Sequence, residues 1–248
     1  MIRVTVWNEN VHERWSKQVK AVYPEGIHGA IAAALSTQED FQLRTSTLMQ
    51  HSCGLTDEIL EQTDVLLWWG HMAHNRVPDK IAKKVQERVL RGMGFIALHS
   101  AHMSKPFKLL MGTSCTLQWR EGDFERLWVI NPAHPIARGL EPYIEIPQEE
   151  MYGERFEIPE PETLVFAGWF DGGELFRSGC VWQRGNGKVF YFQPGHETFP
   201  IYHMEPIQQI LINAVRWIAP EKIFPKAEAP QVKVSPEAQR RKREAGKK

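Results

Sequence analysis

Three observations predict an α/β domain built on a mainly parallel sheet. Asp64 to Trp69 is an unbroken apolar run after its first residue, closed by Gly70, the pattern of a strand buried on both faces. Asp79 to Leu90 carries Ile81, Val85 and Val89 at a period near four, which marks an amphipathic helix. Gly94 to Leu98 then repeats the short buried strand. Strands alternating with helices at this spacing form right-handed crossovers, and these lay strands parallel.

The remaining elements follow in order. Ile2 to Trp7 alternates β-branched residues and reads as the first strand; Gly29 to Leu35 is alanine-rich and helical. Phe41 to Thr47 is a second strand, and Thr56 to Glu61 opens a short helix on a threonine cap. Gly92, after the Asp79–Leu90 helix, reads as its C-terminal cap. From Cys115 to Phe192 the pattern changes to short runs, Leu127–Ile130, Thr163–Trp169 and Lys188–Phe192, separated by glycine and proline. Added strands and long loops are expected there, with Gln148–Glu154 too irregular to assign. Glu205 to Trp217 closes the fold as a helix with Ile207, Ile210, Leu211, Ala214 and Val215 on its apolar face. One domain is expected over residues 1–225. A basic tail over 226–248, rich in Pro, Ala, Lys, Arg and Glu, reads as disordered or as a helical arm.

The 248 residues carry 30 basic and 30 acidic side chains, so no global positive field draws the chain to nucleic acid. The neutrality is a cancellation. The tail holds eight basic and three acidic residues, leaving 22 basic and 27 acidic residues in the body. Three scattered cysteines without a CxxC pair argue against a disulfide framework and a cysteine-based zinc site, and point to a cytoplasmic setting. No secretory signal or membrane span is expected. Nine tryptophans and ten histidines are the unusual part of the composition.

In open parallel sheets, ligands sit beyond the carboxyl ends of the strands. The predicted strands end in Trp7-Asn8-Glu9, in Trp69-Gly70-His71, in His99-Ser100-Ala101-His102 and in Gln193-Pro194-Gly195-His196-Glu197, so four strand ends deliver His, Glu or Asn to one crevice. Ala97 and Ala101 flank His99 as the small residues of a nucleophile elbow do, yet the presented group is an imidazole rather than a hydroxyl or thiol. Ser100, one place later, fits a serine nucleophile poorly.

Trp68 to His74, Leu98 to Lys105, Glu149 to Glu154, Phe176 to Gly179 and Pro194 to Glu197 together resemble the ThuA-like family, the trehalose utilisation proteins, over about residues 2–220. The resemblance implies a flavodoxin-like sheet, a variant of the class I glutamine amidotransferase fold, with extra strands in the second half. It also implies a role in catabolism of trehalose and related disaccharides, beside an oxidoreductase that handles a 3-keto sugar. Where that superfamily places a cysteine, this chain has His99, so Cys-dependent amidotransfer is not expected.

The residues themselves suggest His99, His196 and Glu150 as catalytic groups for glycosidic cleavage or for proton abstraction next to a carbonyl. Trp7, Asn8, Glu9, Trp69, Ser100, His102, Glu149, Tyr152, Arg177 and Glu197 are the expected substrate contacts, with Trp7 and Trp69 stacking on sugar faces and Arg177 orienting a carboxylate. His28, His71, His99 and His196 form a candidate ligand set for a divalent transition metal such as zinc. His12, His51 and His134 read as bystanders, and Trp128, Trp182 and Trp217 as core. A homo-oligomer is expected for such an enzyme. The competing reading is a sugar-binding or regulatory subunit without turnover.

Overall fold

The first strands form where the apolar runs place them. In the computed structural model, which describes residues 1–229 and 232–246, β1 (Ile2–Asn8), β2 (Phe41–Thr47), β3 (Val65–Trp69) and β4 (Gly94–Leu98) lie parallel. Their connections carry α1 (His12–Trp15), α2 (Lys17–Val22), α3 (Gly26–Leu35), α4 (Asp57–Glu61) and α5 (Asp79–Arg91), and α6 (Lys105–Met111) follows β4. The helix predicted from Gly29 begins three residues earlier, at Gly26, whose φ of +74° suits glycine. Thr56 caps α4 by accepting from the Ile59 N–H, and Gly92 ends α5 at a φ of +132°.

The second half is more regular than its sequence suggests. β5 (Gln118–Val129), β6 (Tyr143–Gly153), β7 (Thr163–Phe170), β8 (Leu175–Arg184) and β9 (Gly187–Phe192) complete one nine-stranded sheet in the order β2-β1-β3-β4-β9-β8-β7-β5-β6. β9 pairs parallel with β4 and antiparallel with β8, so it joins the parallel half to an antiparallel extension. The segment Gln148–Glu154, left unassigned above, is mostly the end of β6. Glu145 and Pro147 are exposed while Glu149 and Glu150 are buried, so the usual polar–apolar alternation is hidden by buried acids. Phe124, Arg126 and Trp128 share the outer face of β5, where the Arg126 guanidinium lies over Tyr143 and Trp128 is only half-buried.

Strand residues alternate between two cores. Val4, Val6, Leu67, Trp69, Ile96 and Leu98 pack with α3 and with α7 (Glu205–Ile218) on one face. Trp7, Leu66, Trp68, Phe95 and Ala97 pack with α5 and α6 on the other. This is the doubly covered sheet that the parallel pattern implies. The three cysteines are buried and unpaired. Beyond the sheet, Ser235 caps α8 (Pro236–Ala245), which has no buried residue. The tail predicted at 226–248 also includes residues 230, 231, 247 and 248, which lie outside the described residues.

The β8–β9 hairpin packs its turn on the end of α5, with the Asn186 N–H donating to the Leu90 carbonyl at 3.0 Å. A Cβ at Gly187 would lie 2.2 Å from the Val89 carbonyl oxygen and 2.6 Å from that of Met93. Gly187→Ala is therefore expected to lower stability by about 1–3 kcal/mol, because the opposing atoms are backbone and cannot rotate away. An unchanged urea midpoint in this variant would show that the hairpin and α5 separate freely.

Candidate active site

The carboxyl ends of β1, β3, β4 and β9 are neighbours in the sheet, and the side chains that follow them meet. His99 comes directly after β4 with a φ of +52° and is fully buried. Such a conformation strains a residue with a Cβ, and here it turns the imidazole across the top of the sheet. Its Nδ1–H donates to the Gln193 carbonyl at 2.8 Å, and its Nε2 lies 3.0 Å from Glu150 Oε2. Tyr152 stacks on the ring at a centroid distance of 5.0 Å. Burial opposes the charge of His99, but the Glu150 hydrogen bond and the Glu149 and Glu150 carboxylates outweigh it and raise its pKa to about 9. Glu150 is buried too, and His99 holds it below its ordinary value.

His196 and Glu197 follow β9. The His196 Nδ1 is 2.8 Å from the Thr198 hydroxyl. Burial, helped by the neighbouring His99 charge, lowers the His196 pKa to about 4. Glu197 is buried, and its Oε1 meets the Nδ1 of His71 at 2.5 Å and also the Nδ1 of His12. Although burial opposes its charge, His71 and His196 keep Glu197 well below the usual carboxylate range. His71 is also buried for the most part; Glu197 nonetheless raises its pKa. The rings of His71, His99 and His196 lie 5.4 to 6.5 Å apart, each pair edge to face.

Several predicted residues hold this arrangement from outside. The Glu9 carboxylate accepts from the N–H groups of Met72 and Ala73 at 2.9 and 3.0 Å and so fixes the loop that carries His71. The Glu149 carboxylate accepts from the N–H groups of Glu150, Gly195 and His196 at 2.8, 2.6 and 3.1 Å, and burial pushes its pKa up to about 7. Ser100 Oγ donates to the Gly70 carbonyl at 2.9 Å, and His102 Nδ1–H to that of Cys115 at 2.6 Å. A cleft of about 470 Å³ is lined by His71, Ser100, His102, Glu150, Tyr152 and Trp119 among others, whereas His99, His196 and Glu197 are buried and outside its lining.

Other expectations need correction. His28 does not join the histidine cluster: α3 aims it at Asn8, whose Nδ2 is 3.0 Å from its Nδ1, and it lines a different cleft with Glu13 and Arg14. Asn8 is likewise turned away, donating to Glu13 at 2.6 Å. Trp7 stacks on Trp68 at 3.8 Å inside one core, and Trp69 is buried in the other with its Nε1–H on the Gly195 carbonyl at 3.0 Å. Neither lines the cleft; Tyr152 and the exposed Trp119 do. Arg177 does orient a carboxylate, that of Glu154 at 2.8 Å, but it is not among the residues that line the cleft. His12, read as a bystander, sits on Glu197 because α1 folds back over the strand ends.

Beneath Glu149 lies Glu125, fully buried, with Oε1 accepting from Ser178 Oγ at 3.4 Å and Oε2 without a hydrogen-bond partner. Burial raises its pKa well above the usual carboxylate value. The folded state thus keeps a proton that the unfolded chain releases above about pH 4.3. This contribution to stability falls as pH rises from there. Glu125→Gln is expected to raise the Tm at pH 8 by more than about 2 °C, with a gain that shrinks toward pH 4.5. Equal shifts at both pH values would show that Glu125 is ionised in the fold.

A family model described as ThuA, trehalose utilisation, matches residues 3–218. The chain belongs to the ThuA family. No curated protein matches it. Among solved structures, a ThuA-like protein from Parabacteroides merdae ATCC 43184 is 15% identical, with 93% of each chain covered and a TM-score of 0.65. A cytoplasmic protein of Salmonella typhimurium is 12% identical over 89% of this chain and 100% of its own, at a TM-score of 0.60. PurLQS from Thermotoga maritima is 14% identical over 87% and 98%, at a TM-score of 0.50. At these identities the likeness is one of fold, and it places this ThuA chain among the amidotransferase-like sheets with added antiparallel strands. No helix among the described residues is long and apolar enough to cross a membrane.

Proposed function

We propose that this ThuA-family chain is a sugar-processing enzyme of trehalose and disaccharide breakdown that turns over a disaccharide or its 3-keto derivative. The observation that carries this reading is His71 on the wall of the cleft, held from behind by the buried Glu197 and beside the buried cluster of His99, Glu150 and His196. Glu197 engages His71 through Nδ1, which leaves Nε2 as the nitrogen free to exchange a proton, the arrangement of a carboxylate-oriented general base. A keto group acidifies the hydrogens on the carbons beside it, so one imidazole can remove such a proton and return it elsewhere. That step serves either isomerisation or elimination of the glycosidic oxygen. Glu150, kept ionised by the buried His99, reaches the cleft and supplies charge and hydrogen bonding toward the sugar oxygens.

The reading places the protein in the cytoplasm as a homo-oligomer, beside a sugar oxidoreductase that forms the keto group. The full-length protein is incubated with trehalose and, separately, with 3-ketotrehalose in D₂O and followed by proton NMR. Deuterium entering beside the carbonyl, or a new sugar product, is expected with the keto sugar. Saturable binding with neither over hours would overturn the catalytic reading in favour of a binding subunit.

A further inference from the structure

Several buried groups with metal-ligating atoms converge at the ends of β4, β6 and β9. One ligand atom from each of His99, Glu150 and His196 lies within 4.8 Å of the others, and all three residues are buried. Both imidazoles face a partner through Nδ1: that of His99 donates to the Gln193 carbonyl at 2.8 Å, and that of His196 meets the Thr198 hydroxyl at 2.8 Å and accepts from the Thr198 N–H at 3.3 Å. Nε2 is the nitrogen that each ring turns toward a carboxylate, and that of His99 lies 3.0 Å from Glu150 Oε2 and 3.3 Å from the Tyr152 hydroxyl, contacts that a bound ion would replace. The bond from His99 to Gln193 is the outer hydrogen bond that fixes ring orientation in metal-binding histidines. The two rings stand 5.4 Å apart at 84°. Two imidazoles sharing one tetrahedral ion at ordinary zinc–nitrogen lengths have centres ~5 Å apart. A second observation points the same way: Glu197 Oε2 is buried, has no hydrogen-bond partner and lies 3.6 Å from His196 Nε2.

We infer that His99, Glu150 and His196 hold one divalent transition ion of the zinc class, reached from the cleft through Glu150, which lines it. Two imidazoles and a carboxylate form the donor set of a catalytic zinc site, whereas magnesium and calcium prefer oxygen donors. The neighbouring group of His12, His71 and Glu197 is less suited. There both imidazoles use Nδ1 on the same carboxylate oxygen, which makes Glu197 the outer carboxylate that orients His71. An ion at the inferred position supplies a Lewis acid for a carbonyl or hydroxyl oxygen of the sugar. The inference rests on the cleft assigned above to sugar chemistry, but metal content tests it apart from turnover.

The full-length protein is stripped with a chelator, reloaded with Zn²⁺ or Co²⁺, dialysed and measured by elemental analysis and, for Co²⁺, visible absorption. About one equivalent of Zn²⁺ is expected, with cobalt bands of low coordination number. His196→Asn and Glu150→Gln are expected to fall below about a tenth of an equivalent, while His28→Ala keeps the full amount. Circular dichroism separates loss of the ion from loss of the fold. Two results overturn the inference: a folded wild type that stays below about a tenth of an equivalent, or metal lost in His12→Ala and kept in His196→Asn. Absence of metal together with turnover of the keto sugar would sink the ion and leave the enzyme standing; bound metal without turnover would do the reverse.

Discussion

His71→Ala is expected to lower kcat on a keto-disaccharide by about 10²- to 10⁴-fold, the usual contribution of a positioned acid or base. The side chain is 29% exposed and carries no backbone hydrogen bond in the loop, which Glu9 holds through Met72 and Ala73 instead. The fold, and metal uptake at the inferred site, are therefore expected to survive. Added imidazole is expected to restore part of the rate, since the cavity left on the cleft wall admits it; a merely structural role would give no such rescue. Glu197→Gln leaves a neutral amide on the His71 Nδ1 and removes the charge that favours imidazolium, so a loss of at least about 10²-fold is expected there too. A kcat for His71→Ala within about threefold of wild type would remove this residue from proton transfer.

What the sequence made legible follows a physical line. His99, His196 and Glu197 stood out because they follow buried strands, and a strand end fixes where the next residue begins its turn. The small residues Ala97 and Ala101 further marked the turn at His99, and its φ of +52° agrees with that crowding. Direction was harder. In a strand buried on both faces, apolarity does not alternate, so Trp7 and Trp69 looked like rim aromatics although each points into a different core. His12 was hidden for another reason. It lies on a four-residue helix without apolar periodicity, and its partner Glu197 is 185 residues away. The acids of β6 masked a strand because Glu149 and Glu150 occupy buried positions, compensated by backbone N–H groups and His99 that no local pattern reveals.

The largest effect on stability is expected at Glu149. Its Oε1 accepts from the N–H groups of Glu150 and His196, and its Oε2 from that of Gly195, so one side chain stitches β6 to the loop that presents His196 and Glu197. Leucine fills nearly the same space but leaves these donors buried and unpaired. At about 1–3 kcal/mol for each of the three stranded groups, Glu149→Leu is expected to cost about 3–9 kcal/mol, a large part of a typical domain's stability. Glutamine separates the contributions. Its amide oxygen can still accept from Glu150 and His196, but its NH₂ group then faces the Gly195 N–H, donor against donor. One lost bond predicts a cost of about 1–3 kcal/mol, clearly smaller than for leucine. Urea unfolding of both variants measures the difference, and equal costs would mean that charge, rather than the three N–H contacts, is what Glu149 contributes. Because the same contacts position His196, Glu149→Leu is also expected to lose turnover at temperatures where it is still folded, whereas Glu149→Gln keeps part of it.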